Sequence, residues 1–252
     1  GLFKATTFSG ANAMTLLLYL ALGGALFFVP FNLIQIQGYS ATLAGAAFLP
    51  FSLIMGGLSR WSGTLIEHYG RTPLIVGPLI SAVGFALLAV PGIGGSYWTT
   101  FFPAMVVLGF GMAVSVAPLT TTVMNSVEDR HGGVASGINN ATARIAGMLA
   151  VALLGAVAVG GFGSALDQRP TKLQVTAETR SVMRTEVPQL AEASVPPEIR
   201  AQRDALERAL DEAFVFSFRV ATLISAGLAV LAALSAWLTI RPMRAPKEAK
   251  SR

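Results

Sequence analysis

The sequence predicts an all-α membrane protein with six transmembrane helices, and three observations predict it. Of 252 residues, 53% are hydrophobic and only 12% charged, with a mean hydropathy of +0.62. A soluble domain carries about 25% charged residues. The charges are also confined: the 55 residues from Ala5 to Ser59 hold none, nor do the 56 from Thr72 to Val127. Uncharged apolar runs of about 18 residues or more read as membrane spans. Finally, the Lys and Arg residues fall in alternate connections, as the positive-inside rule demands. A soluble α/β barrel equally rich in Val, Ile and Leu would scatter Lys and Glu every few residues.

Span one is expected over residues 12–35, with Thr15, Tyr19, Gly23 and Gly24 inside it and Pro30 and Asn32 near its far end. Gln37-Gly38-Tyr39-Ser40 is an uncharged turn. Span two, residues 42–59, carries Pro50 in its middle, where proline frees a carbonyl and kinks a helix. A polar island, Arg60 to Arg71, follows. Span three covers residues 73–90. Pro91-Gly-Ile-Gly-Gly-Ser96 is a turn by composition, and Tyr97-Trp98 is an aromatic pair suited to a membrane interface. Span four covers residues 98–125 and is followed by a second island, Glu128 to Gly133.

Span five, residues 134–162, opens with Ser136, Asn139, Asn140, Thr142 and Arg144 and then turns almost purely to Ala, Val, Leu and Gly. Residues 163–213 form a loop with nine acids and seven bases. It has too few large apolar residues to bury a core of its own. Within it, residues 198–213 predict an amphipathic helix: Pro196-Pro197 precede a start at Glu198, and Ile199, Leu206, Leu210 and Ala213 share a side. Arg203 and Glu207 form an i,i+4 pair. Span six covers residues 214–240, and the tail, Arg241 to Arg252, holds five basic residues and one Glu.

Six spans place both termini on one side. The even connections and the two ends carry Lys4, Arg60, Arg71, Arg130, Arg241, Arg244, Lys247, Lys250 and Arg252, while the two short odd connections carry no Lys or Arg. Both termini and both islands are therefore expected in the cytoplasm, the 163–213 loop outside, and the chain in a plasma (inner) membrane. The net charge of +5 has this topological origin, and nucleic acid is not an expected partner. Residue 1 is Gly, which fits a piece of a longer chain.

The island between spans two and three reads Gly63-x-x-x-Glu67-x-x-Gly70-Arg71. It resembles the loop signature of the major facilitator superfamily, with His68 in its first basic position and Thr72 in its last. Gly38-Tyr39-Ser40-Ala-Thr-Leu-Ala-Gly45 followed by Leu49-Pro50 resembles the entry to the second span of a transporter half. Gly133-Val-Ala-Ser-Gly137-Ile-Asn-Asn140-Ala-Thr-Ala-Arg144 resembles the start of the fifth. A long outer loop before the last span is similar to the 14-spanner drug:proton antiporter branch, the EmrB/QacA type. The resemblance covers the whole chain as a C-terminal six-helix half. It implies a second six-helix half, a small amphipathic substrate, protons as the coupling ion, and a cavity lined by spans one, two, four and five.

The physics of the island stands beside the resemblance. Gly63 and Gly70 let two helix ends approach and turn. Glu67 and Arg71 are four apart and can pair, or reach another helix end and latch a cytoplasmic gate; the alternative is a plain positive-inside anchor. Arg144 lies about 15 Å into span five at 1.5 Å per residue, where charged residues are rare and face a cavity or a partner. Snorkelling to the inner headgroups is its alternative. Arg219, one turn into span six, is expected to snorkel outward. With Arg144, the cavity candidates are Asn12, Tyr19, Gln35, Asn139 and Asn140, each also suited to interhelical hydrogen bonding.

The absences narrow the function. With no cysteine, there are no disulfides or thiolate chemistry. The two histidines, His68 and His131, lie in the islands without metal-ligand spacing, so neither a metal nor another cofactor is expected, and no nucleophile or phosphate-loop motif points to an enzyme. No Asp or Glu lies within the expected spans, so an embedded acid for proton coupling is expected in the other half. The leading expectation is export of small amphipathic compounds by alternating access. The competitors are a same-fold transporter of a metabolite or sugar, a non-transporting scaffold or inactive remnant, and a homodimer of this half.

Overall fold

The computed structural model describes residues 2–168 and 203–240, and every regular element among them is helical. The helices are α1 (Thr6–Phe31), α2 (Ala41–Ala46), α3 (Leu49–Ser62), α4 (Leu65–Tyr69), α5 (Thr72–Leu88), α6 (Phe101–Asn125), α7 (Gly132–Gln168) and α8 (Arg203–Thr239). Five segments are long and apolar enough to cross a membrane: Thr6–Ile36, Ala41–Ser62, Phe101–Asn125, Gly132–Ala165 and Glu207–Thr239. A sixth apolar helix, Thr72–Leu88, has 17 residues. At 1.5 Å per residue it is about 26 Å long, a little under the ~30 Å hydrocarbon thickness.

The helices run past the ends of the apolar runs. α1 begins at Thr6 rather than Asn12, α7 continues to Gln168 rather than stopping at Phe162, and α8 starts at Arg203 rather than at Phe214. Helix propagation costs little once a turn exists, so a helix ends at a breaker or cap and not where hydrophobicity fades. The expected amphipathic segment and the last span are thus one continuous helix from Arg203 onward, with Leu210 and Ala213 buried. Pro196, Pro197, Glu198 and Ile199, like the basic tail from Arg241, lie outside the described residues, as does the Leu206 side chain.

The second apolar run is broken, but not at its proline. The turn falls at Ala47–Phe48, and Pro50 sits in the first turn of α3, where its missing N–H costs nothing. Ser40 caps α2, its Oγ accepting from Leu43 N at 3.3 Å. At the far end of α1, Pro30 is followed by a wide π-turn, Asn32–Ile36.

In the bundle, α1 packs on α7 and α8, α5 is held between α6 and α8, and α3 lies against α6. Small residues set the closest approaches. A Cβ added to Gly77 would collide with Ser115, and one added to Gly111 with Ser81. Each serine satisfies its hydroxyl within its own helix: Ser81 Oγ donates to Gly77 O at 3.1 Å, and Ser115 Oγ to Gly111 O at 2.7 Å. The α5/α6 contact is therefore a reciprocal glycine–serine pairing four residues apart on both helices. Gly10 makes the same kind of room for Thr239, and Gly24 for Leu154. Such close backbone contact drives association where lipid removes the hydrophobic contrast.

Burial is one-sided. In the most apolar stretch of Ala41–Ser62 only 11% of residues are buried and in that of Gly132–Ala165 28%, against 56% for Phe101–Asn125. α3 and α7 therefore flank the bundle with uncovered sides.

Candidate functional site

At one end of the bundle the Gly63–Arg71 loop joins α3 to α5. Thr64 Oγ1 donates to Trp61 O at 2.8 Å, Ile66 is buried beneath the loop, and α4 stops at Gly70. Gly70 has φ +56°, a backbone that glycine adopts without Cβ strain. Gly63 differs: its φ is −58°, and an added Cβ would meet nothing nearer than Ser59 O at 3.9 Å. Among the described residues only Gly70 has a local steric need for glycine.

Arg71 reaches across the bundle. Its Nη1 donates to Trp237 O at 2.9 Å and to Ile240 O at 3.2 Å. Those carbonyls lie in the last turn of α8 and just past it, where helix carbonyls run out of intrahelical donors and the helix dipole is negative. The Glu67 side chain lies outside the described residues. At the opposite end Arg219, on α8, donates from Nη2 to Pro91 O at 3.3 Å and to Val90 O at 3.4 Å, just past the end of α5. These two antiparallel helices are clasped at both ends, each by an arginine on one and carbonyls at the finish of the other. Arg219, expected to reach outward, has its acceptors in the protein.

The six cavity candidates separate into three groups. Asn12 and Asn139 are held in an interhelical seam. Thr15 Oγ1 donates to Asn139 Oδ1 at 2.7 Å, Thr142 Oγ1 lies 3.4 Å from Asn12 Oδ1, and Asn12 Nδ2 donates to Phe8 O at 2.9 Å. Asn12 and Thr15 are buried, and the seam bolts α1 to α7. Tyr19 is half-buried one turn further along α1, and Gln35 is exposed in the π-turn. Asn140 and Arg144 are exposed on the uncovered side of α7. The structure thus brings Asn12 and Asn139 together and leaves Gln35 apart at the other end.

Two contacts at the Gln35 end are not among the sequence candidates. Gln37 Nε2 donates to Gly92 O at 2.7 Å and lies 3.1 Å from Asn32 Oδ1, fastening the π-turn to the connection after α5. Asn32 is fully buried and its Nδ2 has no partner among the described residues. Tyr97 donates its hydroxyl to Ala47 O at 2.7 Å, closing the break between α2 and α3. Burial, and after it the nearby Tyr39, pushes the Tyr97 phenol above its usual pKa, so it remains a donor. The sequence signal for the first contact was three amides in six residues, Asn32, Gln35 and Gln37. For the second there was only an aromatic pair.

No group of three or more His, Asp or Glu suited to a metal exists among the described residues. The bundle has apolar helices, small-residue crossings, carbonyl ends closed by arginine and two uncovered flanking helices. These features define a polytopic α-helical membrane protein.

The family follows from comparison. Residues 2–151 match the Major Facilitator Superfamily, and the chain belongs to it. It is 25% identical over 244 residues to the multidrug resistance protein Stp of Mycobacterium tuberculosis, covering 94% of this chain and 45% of that protein. It is 32% identical over 163 residues to the puromycin resistance protein pur8 of Streptomyces alboniger, covering 63% of this chain and 32% of that protein. In fold it is similar to a bacterial homologue of the human lysosomal transporter Spinster, solved inward-facing and occupied. The TM-score is 0.73 at 17% identity, over 96% of this chain and 50% of that one. The chain thus spans about half the length of these relatives or less.

Proposed function

We propose that this chain is one six-helix half of a proton-coupled exporter of small amphipathic compounds. It works by rocking against a second six-helix half about a cavity near the membrane midplane. The observation that carries the reading is the one-sided burial of the bundle. α3 and α7 leave open glycines at Gly56, Gly57, Gly137 and Gly155, where an added Cβ would meet nothing within 4 Å. Those are surfaces prepared for close helix packing. The length ratio to the relatives supports a second half of similar size, and the relatives' names, multidrug and puromycin resistance, support the cargo class.

On this reading the Gly63–Arg71 loop faces the cytoplasm, Arg71 ties the inner ends of α5 and α8, and the Gln37 and Tyr97 contacts close the outer end. The acids of the apolar helices stand toward their ends, Asp167 in the last turn of α7 and Asp204, Glu207, Asp211 and Glu212 in the first three turns of α8, and on this reading the group that titrates during transport belongs to the other half. The test is dye uptake into everted vesicles carrying both halves, with an amphipathic fluorescent dye as probe. Accumulation that a protonophore collapses is expected. No accumulation with both halves present would sink the reading, and uptake indifferent to the protonophore would sink the coupling.

A further inference from the structure

We propose that Arg144 pairs, across the uncovered side of α7, with a carboxylate on a helix of the second bundle. The inference rests on the two-half reading above and names the chemistry of the facing surface. It begins with charge balance. Arg71 and Arg219 end on helix carbonyls, and Arg130 pairs with Glu128 at 2.7 Å. Arg144 makes no hydrogen bond and no ion pair among the described residues. It lies twelve residues past Gly132 on α7, about 18 Å along the helix axis, where an unpaired charge is costly.

No acid with a described side chain pairs with it: Glu128, before the start of α7, is taken by Arg130. Glu207, Asp211 and Glu212 stand at the opposite end of the bundle, in the first turns of α8. No partner is present among the described residues, and on the two-half reading the facing bundle supplies it.

The uncovered side of α7 has two strips, and they differ in chemistry. Ile145, Leu149, Leu153 and Val157 form a strip of large exposed aliphatics at four-residue spacing, suited to lipid chains. Arg144 lies instead with Gly137, Ala141, Met148, Val151 and Gly155, at spacings of three and four. On that strip the two glycines have nothing within 4 Å of an added Cβ. Small residues admit a close helix, and lipid gains nothing from them. The guanidinium therefore points from a helix-packing strip, where a fixed carboxylate offers bidentate geometry.

The experiment places a benzophenone amino acid at Met148, one turn from Arg144 and 67% exposed, in the complete protein in its native membrane. Illumination should join it to one helix of the second half, in a peptide carrying Asp or Glu within a turn of the joined residue. Arg144→Glu should cut that crosslink by at least about tenfold. Exchanging the facing acid for Arg should restore it, and the neutral Arg144→Gln serves if the reversal does not reach the membrane. Crosslinks to lipid alone, to α7 of a second copy, or to a helix without an acid overturn the pair. Neither readout needs cargo. A crosslink with charge-swap rescue but no dye uptake would retain the pair and reject the transporter reading, and uptake without the crosslink would do the reverse.

Discussion

Arg71 reaches out of its own loop to the end of α8. Two charge-assisted hydrogen bonds to Trp237 O and Ile240 O, added to a cation at a helix C-terminus, together contribute about 1–2 kcal/mol. Arg71→Ala should lower the melting temperature of the detergent-solubilised protein by a few degrees, on the order of that energy. Arg71→Lys, which keeps the charge but loses the fork, should fall between. A melting temperature unchanged in both would mean the α8 carbonyls have other donors. The Thr15–Asn139 bond is a smaller matter: polar contacts between membrane helices average about 0.6 kcal/mol. Thr15→Val should therefore cost roughly that in thermal stability, while dye uptake by the complete protein remains. Loss of uptake at wild-type stability would return Asn139 to the cavity. At this scale the sequence was informative about which residues were unusual and poor about their partners. Asn12, Asn139 and Arg144 all stood out as polar groups in apolar runs, yet among the described residues two are bonded to neighbours and one is not. A partner 124 or 130 residues away in the chain leaves no trace in local spacing.

Between helices, the glycine–serine pairing of α5 and α6 is the contact most sensitive to volume. A Cβ at Gly77 or Gly111 collides with a serine side chain and approaches backbone on the facing helix, so neither site can yield by a rotamer change alone. Gly111→Leu should force the helices apart and cost about 1–3 kcal/mol or more, the range of overpacked cores. The measurement is the monodisperse fraction after solubilisation, which should drop sharply. A well-behaved Gly111→Leu protein with native melting would mean that α5 and α6 do not meet there. The apolar helices themselves were legible, because two charge-free stretches of 55 and 56 residues permit little else. Their ends were not, since α8 runs through charged residues to Arg203 without a breaker. The break in the second run was legible as an event and misplaced in position: Pro50 is tolerated inside the first turn, and the bend falls before it, where Tyr97 supplies a donor.

At the scale of the whole molecule, the bundle holds two kinds of glycine, and they predict opposite behaviour. Gly77 and Gly111 are filled by neighbours already present, whereas Gly56 and Gly57 on α3 face open space. Replacing a mid-helix glycine by leucine gains about 0.8 kcal/mol of helix propensity when nothing obstructs it. For this chain by itself, Gly56→Leu or Gly57→Leu should leave the melting temperature unchanged or slightly raised. If a second bundle packs against α3, the same leucines meet its helices, and the added volume separates surfaces built for close approach. The complete protein should then lose dye uptake and copurification of its halves while each half stays folded. This contrast between a tolerant half and an intolerant whole cannot come from a lipid-facing α3, on which leucine would be welcome in both. Retained uptake and copurification with Gly56→Leu and Gly57→Leu combined would therefore place lipid, not a second bundle, against α3. It would remove the observation on which the two-half reading rests.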